Sequence, residues 1–286
     1  MAERAAAAQL ARYYDLDLLD DPEDLSLYEA LAARANGGIL ELAVGSGRLA
    51  IPLARAGYEV TGIDRDTAML ARARAAWSSA RPPHASPTGA SPTNATPTSA
   101  TRRTTRRRRT STGELRLVQA DITDVRLDGR FGLVMLALNS LLLLADEGAQ
   151  AAALETMAAH LATDGLAVVD VFLPDAGDLA MYDGRLLVDW TRHDPETGDL
   201  VTKLSSGRHD AATGMITLTS LFDAVPAAGG PLRRVQRTDR MRLVSASELT
   251  RLAADAGMQV EVLAGDHQLT PFGPGAERAV LLARSL

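Results

Sequence analysis

The sequence predicts an α/β protein built on a doubly wound, mostly parallel sheet, and three observations predict it. Short apolar runs alternate with helical patterns from residue 38 to residue 172, the alternation of βαβ units whose sheet is covered on both faces. Gly45-Ser46-Gly47 stands where the first apolar run gives way to the first helical pattern, the place where such folds turn from strand to helix. From residue 174 to 243 the pattern changes to half-alternating runs, which read as antiparallel strands inserted between the fifth strand and the last helix.

The elements follow in order. An Ala-rich amphipathic stretch opens the chain, and residues 24–34 form a helix leading into the sheet. Buried strands are expected at 38–43, 58–63, 115–119, 131–137 and 165–172, with helices at 48–56, 67–77 and 148–161. Three or four antiparallel strands come next, at 185–192, 200–205, 215–222 and 233–243, the first two joined by the turn Asp194-Pro195-Glu196-Thr197-Gly198. Ser247 is the expected N-cap of a helix through Ala256 that Gly257 ends, and strands at 258–263 and 278–283 close a seven-stranded sheet.

Composition narrows the chemistry. The 286 residues contain no Cys, which excludes thiol nucleophiles, thiolate metal sites and disulfides. Lys203 is the sole lysine, and no metal site is expected. No apolar run reaches the roughly 18 residues of a membrane span and the first residues lack a signal-peptide pattern, so the expectation is a cytoplasmic protein that meets no membrane. Residues 78–113 are dense in Pro, Ser, Thr and Arg, with no acid and almost no large apolar side chain; they read as a disordered insertion within a single domain spanning 1–286. Set aside, that segment leaves a body with a charge of −13 rather than −6, which disfavours polyanionic partners and makes a nucleic-acid partner unexpected.

The residues around the glycine turn carry the chemistry. Closely spaced Gly45 and Gly47 let the backbone approach a ligand beside the free N–H groups of a helix start. Glu41 precedes Gly45 by four residues, and Asp64 ends the second strand, where an acid accepts hydrogen bonds from a ribose. A carboxylate at Glu41 opposes a pyrophosphate and welcomes a cofactor with a cationic amino-acid end.

Glu41-Leu42-Ala43-Val44-Gly45-Ser46-Gly47 with Asp64 resembles the first two motifs of the class I S-adenosylmethionine-dependent methyltransferases, usually E/D-x-G-x-G-x-G, with Ala43 at the first glycine. Gln119-Ala120-Asp121-Ile122 is similar to the segment whose acid meets the adenine amine and whose next residue packs on the ring. Leu138-Asn139-Ser140-Leu141 follows the strand beside the methyl-transfer site, and 161–165 resembles the turn before the fifth strand. Tyr13-Tyr14-Asp15, residues 240–249, Gly265-Asp266 and Pro271-Phe272 are similar to a bacterial small-molecule subgroup. The resemblance implies a Rossmann-like methyltransferase domain, with residues 174–243 as a lid and S-adenosylmethionine as cofactor. It implies cofactor contacts at Glu41, Ala43, Gly45, Ser46, Gly47, Asp64, Arg65, Asp121, Ile122 and Asn139, and N- or O-methylation of a small-molecule acceptor.

Methyl transfer needs positioning more than a fixed catalytic constellation, so the sequence names no base. Asn139, Tyr14 and His209 are the catalytic candidates. Asn139 either serves the site or caps the turn into the leucines that follow, and Tyr14 either closes over the cofactor or packs the first helix. His160 reads as a surface or satisfied core residue. Two rival readings stand beside this one: a nicotinamide-dependent oxidoreductase using the same turn, and a non-enzymatic cofactor- or nucleic-acid-binding protein working through the six arginines between Arg102 and Arg109.

Overall fold

Strand β1 (Ile39–Leu42) lies at the centre, in parallel with β2 (Val60–Asp64) on one side and β4 (Phe131–Leu136) on the other. The computed structural model that gives this arrangement describes residues 2–19, 23–79 and 113–285. Beyond β2 runs β3 (Leu115–Gln119), and beyond β4 runs β5 (Leu161–Phe172), both parallel to their neighbours. Antiparallel to β5 is β11 (Arg278–Ser285), and β10 (Met258–Ala264) pairs with β11 at the edge, giving the order β10-β11-β5-β4-β1-β2-β3. Every residue of β1 is buried, as a parallel strand covered on both faces must be. Strand order reverses between β1 and β4, so the crevice above their carboxyl ends is the ligand position of an open α/β sheet.

Alternate residues feed opposite faces. Leu40, Leu42, Val134 and Leu136 join an apolar layer with Leu154 and Met157 of α5 (Glu147–His160) and Leu249 and Leu252 of α7 (Ala246–Asp255). Ile39, Leu133 and Met135 join a second with Tyr28 and Leu31 of α2 (Leu25–Arg34), Leu53 of α3 (Ala50–Arg55) and Leu70 of α4 (Thr67–Ser78). The N-cap of α7 is Ser245, whose hydroxyl accepts from the Glu248 N–H at 3.1 Å; the expected Ser247 lies inside the helix. His160 is a satisfied core residue, its Nε2 accepting from the Leu127 N–H at 2.9 Å.

The inserted segment opens with a short helix the sequence pattern did not indicate, α6 (Ala176–Met181), and folds into an antiparallel sheet of β6 (Leu187–His193), β7 (Leu200–Asp210), β8 (Met215–Val225) and β9 (Arg233–Arg242) in that order. The first helix, α1 (Ala2–Asp17), packs on this sheet, Tyr13 stacking on Phe222 with ring centroids 5.2 Å apart. Polar ties reinforce the contact: Asp17 accepts from Trp190 Nε1 at 2.7 Å and Lys203 Nζ at 2.8 Å, and Arg12 pairs with Asp194 at 2.7 Å. The sole lysine is thus a fastening between α1 and the inserted sheet.

The described chain leaves α4 at Ser79 and returns at Gly113, and both ends meet the end of α3: Arg55 donates to the Ser79 carbonyl at 3.1 Å, and the Gly113 N–H donates to the Ala54 carbonyl at 2.8 Å. Ser78, placed by sequence in the insertion, is the last residue of α4; the expected disorder of residues 80–112 falls outside the described residues. Because consecutive residues hold the two ends, replacing 80–112 with a short Gly/Ser linker should leave the fold intact. Thermal unfolding should stay cooperative, with a midpoint within about 3 °C of the parent.

Candidate functional site

The turn after β1 carries three positive φ values in close succession, Ala43 at 57°, Gly45 at 55° and Gly47 at 86°. Asp64, ending β2, fixes it: one carboxylate oxygen accepts from the Gly45 N–H and the other from the Asp66 N–H, each at 2.8 Å. At Gly47 the φ of 86° favours glycine, and an added Cβ would also press on Ile51 Cδ1 at 2.8 Å; at Gly45 the space opens toward Tyr14, 3.9 Å away. Ala43 holds a left-handed conformation that costs an L-residue about 1 kcal/mol. Ala43→Gly should therefore stabilise the protein by about 0.5–1 kcal/mol in chemical denaturation, where Ala→Gly ordinarily destabilises.

Above the turn lies a cavity of about 410 Å³. Ala43, Gly45, Asp64 and Arg65 form its floor, Asp121 and Ile122 one side, Ser140 and Leu144 another; Leu10, Ala11 and Tyr14 of α1 roof it, and Arg237, Thr238 and Asp239 of β9 reach it from the inserted sheet. Six of the ten cofactor candidates thus share one cavity: Ala43, Gly45, Asp64, Arg65, Asp121 and Ile122. The other four do not line it, and Ser46 and Gly47 border a second cavity of about 760 Å³. Glu41 is buried beneath the first, the Ser46 hydroxyl donates to Asp15 at 2.6 Å, Gly47 packs on α3, and Asn139 Oδ1 accepts from the Phe172 N–H at 2.6 Å. Asn139, with a left-handed φ of 63°, thereby joins the ends of β4 and β5; its side chain makes no capping bond to the turn into the leucines, so the expected capping role is replaced by a tie between strands. His209 lies on β7, its N–H donating to the Tyr182 carbonyl, and forms no part of the cavity wall; Tyr14 does. Tyr14 and an inserted sheet over the site were expected, but Leu10 and Ala11 of α1 and Arg237, Thr238 and Asp239 of β9 were not singled out, because the run 236–240 is polar at every position and gives no sign of which face meets the cavity.

Asp121 accepts from the Thr123 N–H at 3.0 Å and the Thr123 hydroxyl at 2.8 Å, and these bonds hold its carboxyl below the usual range. Burial pushes the Tyr14 phenol up.

Beneath the cavity floor is a buried ionic network. Arg48 forms two bonds to the fully buried Asp24, at 2.5 and 2.7 Å. Asp170, also fully buried, accepts from Arg278 Nε at 2.8 Å and lies 3.1 Å from His267 Nε2; burial opposes its charge, but these partners hold it below the usual carboxylate range. Ligand atoms of Asp24, Asp170 and His267 lie within 4.8 Å of one another, but arginines already neutralise both carboxylates. Glu41 is the exception. Burial outweighs the nearby Arg48 and lifts its carboxyl to about 8, and its Oε2 has no hydrogen-bond partner. A carboxyl raised above its unfolded value binds more protons folded than unfolded, so stability falls as pH climbs from about 4.5 to about 8. Glu41→Gln should remove that slope and raise the thermal midpoint at pH 8 relative to pH 5, as paired thermal scans would record.

Residues 39–98 match the family model described as a methyltransferase domain. No curated protein sequence matches the chain. Among solved structures, an S-adenosylmethionine-dependent methyltransferase of Clostridium acetobutylicum superposes with a TM-score of 0.71 at 13% identity, covering 97% of this chain and 98% of that one. The sugar N-methyltransferase KedS8 of Streptoalloteichus gives 0.65 at 21%, covering 96% and 93%. The SAM-bound amino pentose methyltransferase CalS10 of Micromonospora echinaspora gives 0.62 at 18%, covering 96% and 97%. At these identities the likeness is one of fold, and it extends over nearly the whole length of each chain. The chain shares the class I fold of these enzymes, and within it residues 39–98 match the methyltransferase-domain model.

Proposed function

We propose that this methyltransferase domain binds S-adenosylmethionine in the cavity under α1 and methylates a nitrogen of a small-molecule acceptor, with amino sugars as the favoured class. The observation that carries the reading is the convergence of Gly45, Asp64, Asp121 and Ile122 on one cavity at the point where strand order reverses. The residues fit the cofactor: Asp64 and Asp121 present carboxylates at the ends of neighbouring strands, Ile122 an apolar face, Gly45 an open backbone, and Glu41 an unpartnered buried oxygen able to ionise beneath a cationic group. When bound, S-adenosylmethionine supplies a methyl group already activated on a sulfonium.

The chain's own work is to orient and to exclude water. α1 roofs the cavity and is anchored from both sides, Asp15 taking the Ser46 hydroxyl and Arg72 while Asp17 takes Lys203. That enclosure favours a small acceptor over a polymer. The cavity wall carries no histidine among the described residues, and its acids are engaged, Asp64, Asp66 and Asp121 by backbone N–H donors and Asp239 by the Arg237 guanidinium. A hydroxyl acceptor wants a proton acceptor beside it, whereas an amine attacks unaided once neutral, which supports nitrogen over oxygen. The names of the sugar N- and amino pentose methyltransferases support the same choice. Against the nicotinamide reading stands the Asp121-Ile122 segment, which lines the same cavity as Gly45 and Asp64; the arginines at 102–109 lie outside the described residues.

Calorimetry should give micromolar binding of S-adenosylmethionine to the wild-type protein and a loss of at least about 10-fold in Asp64→Ala. A larger thermal shift with NADH than with S-adenosylmethionine would overturn the reading.

A further inference from the structure

We propose that Asp239, paired with Arg237 on β9, is the carboxylate that receives the acceptor's amine in this cavity. The inference rests on the methyltransferase reading and names a residue for the acceptor end of the same site.

Arg237 and Asp239 alternate with Thr238 along β9, so both project from one face of the inserted sheet. Val235 and Arg237 lie on that same face, opposite Phe222 and Ser220, and Phe222 is the residue on which Tyr13 of α1 stacks. Both therefore point toward α1 and into the cavity it roofs. The other acids of the cavity are fastened by backbone N–H donors: Asp64 by Gly45 and Asp66, Asp66 by Ala68 and Met69, and Asp121 by Thr123. Asp239 differs. Its partner is a side chain, the Arg237 guanidinium at 2.7–2.9 Å, which is itself about a third exposed. A carboxylate balanced by a part-exposed side chain is available to an incoming amine in a way the fastened acids are not.

The chemistry gives such a carboxylate a use. As the lone pair of a neutral amine forms the N–C bond, the S–C pair stays with sulfur, and positive charge leaves sulfur for nitrogen. The resulting ammonium then releases a proton to water. A fixed negative charge beside the nitrogen is better matched to the charge after transfer than before it, so it lowers the barrier as well as holding the acceptor.

The test needs no natural acceptor. Sinefungin, the cofactor analogue bearing a protonated amine where the methyl group stands, places a cation at the acceptor end, and S-adenosylhomocysteine places nothing there. Calorimetry on the full chain should show sinefungin binding tighter than S-adenosylhomocysteine, and Asp239→Asn should weaken sinefungin roughly 10- to 100-fold while leaving S-adenosylhomocysteine within about twofold, which also certifies the variant's fold. Asp239→Glu should restore part of the preference. An unchanged sinefungin preference in Asp239→Asn, or an equal loss for both ligands, overturns the inference. Failure of the wild-type protein to bind either ligand would instead overturn the methyltransferase reading.

Discussion

The buried ion pair of Arg48 with Asp24 is the constraint on which the site depends. Arg48 follows the glycine turn directly, and Asp24 stands at the start of α2, so their two bonds fix the turn against the helix that precedes the sheet. Removing the arginine would leave Asp24 as an uncompensated charge in the interior, with Glu41, Tyr28 and Asp170 close enough to feel it. The same pair explains an oddity of α2. Asp24 occupies the N-cap position yet makes no side-chain cap, because its carboxylate is taken by Arg48.

Around that anchor the molecule is assembled from two bodies joined by α1. One face of the helix belongs to the inserted sheet through Tyr13, Leu16 and Asp17; Asp15 reaches back to Ser46 in the glycine turn and to Arg72 on α4. Arg72 closes the circuit by also pairing with Glu196 in the turn between β6 and β7. The glycine turn is therefore tied to the element that holds the inserted sheet. Enclosure and binding are built from the same few contacts, which suits a reaction whose protein contribution is alignment and exclusion of water.

Electrostatics divide the site in the same manner. Toward the sheet, acids are fixed by backbone donors, and their positions follow from strand and turn geometry. Toward the inserted sheet, Arg237 and Asp239 balance each other through side chains alone. Rigid binding at one end and adjustable binding at the other fit a constant cofactor and a variable acceptor.

Periodicity and turn chemistry made the doubly wound sheet, its strand sequence and the antiparallel insertion readable from the chain, because a strand buried on both faces is apolar at nearly every position and a glycine turn needs its φ values locally. Gly45, Asp64, Asp121 and Ile122 were readable for the same reason: each sits at the end of a strand, where sequence position and spatial position coincide. The tertiary structure alone decided what lay across the sheet or came from far along the chain. It turned Asn139 into a tie between strands, drew Ser46 to Asp15, put Glu41 beneath the floor, and brought α1 and β9 over the cavity from opposite ends of the sequence. Such choices depend on long-range partners competing for one polar group, and a local pattern holds no record of which partner wins.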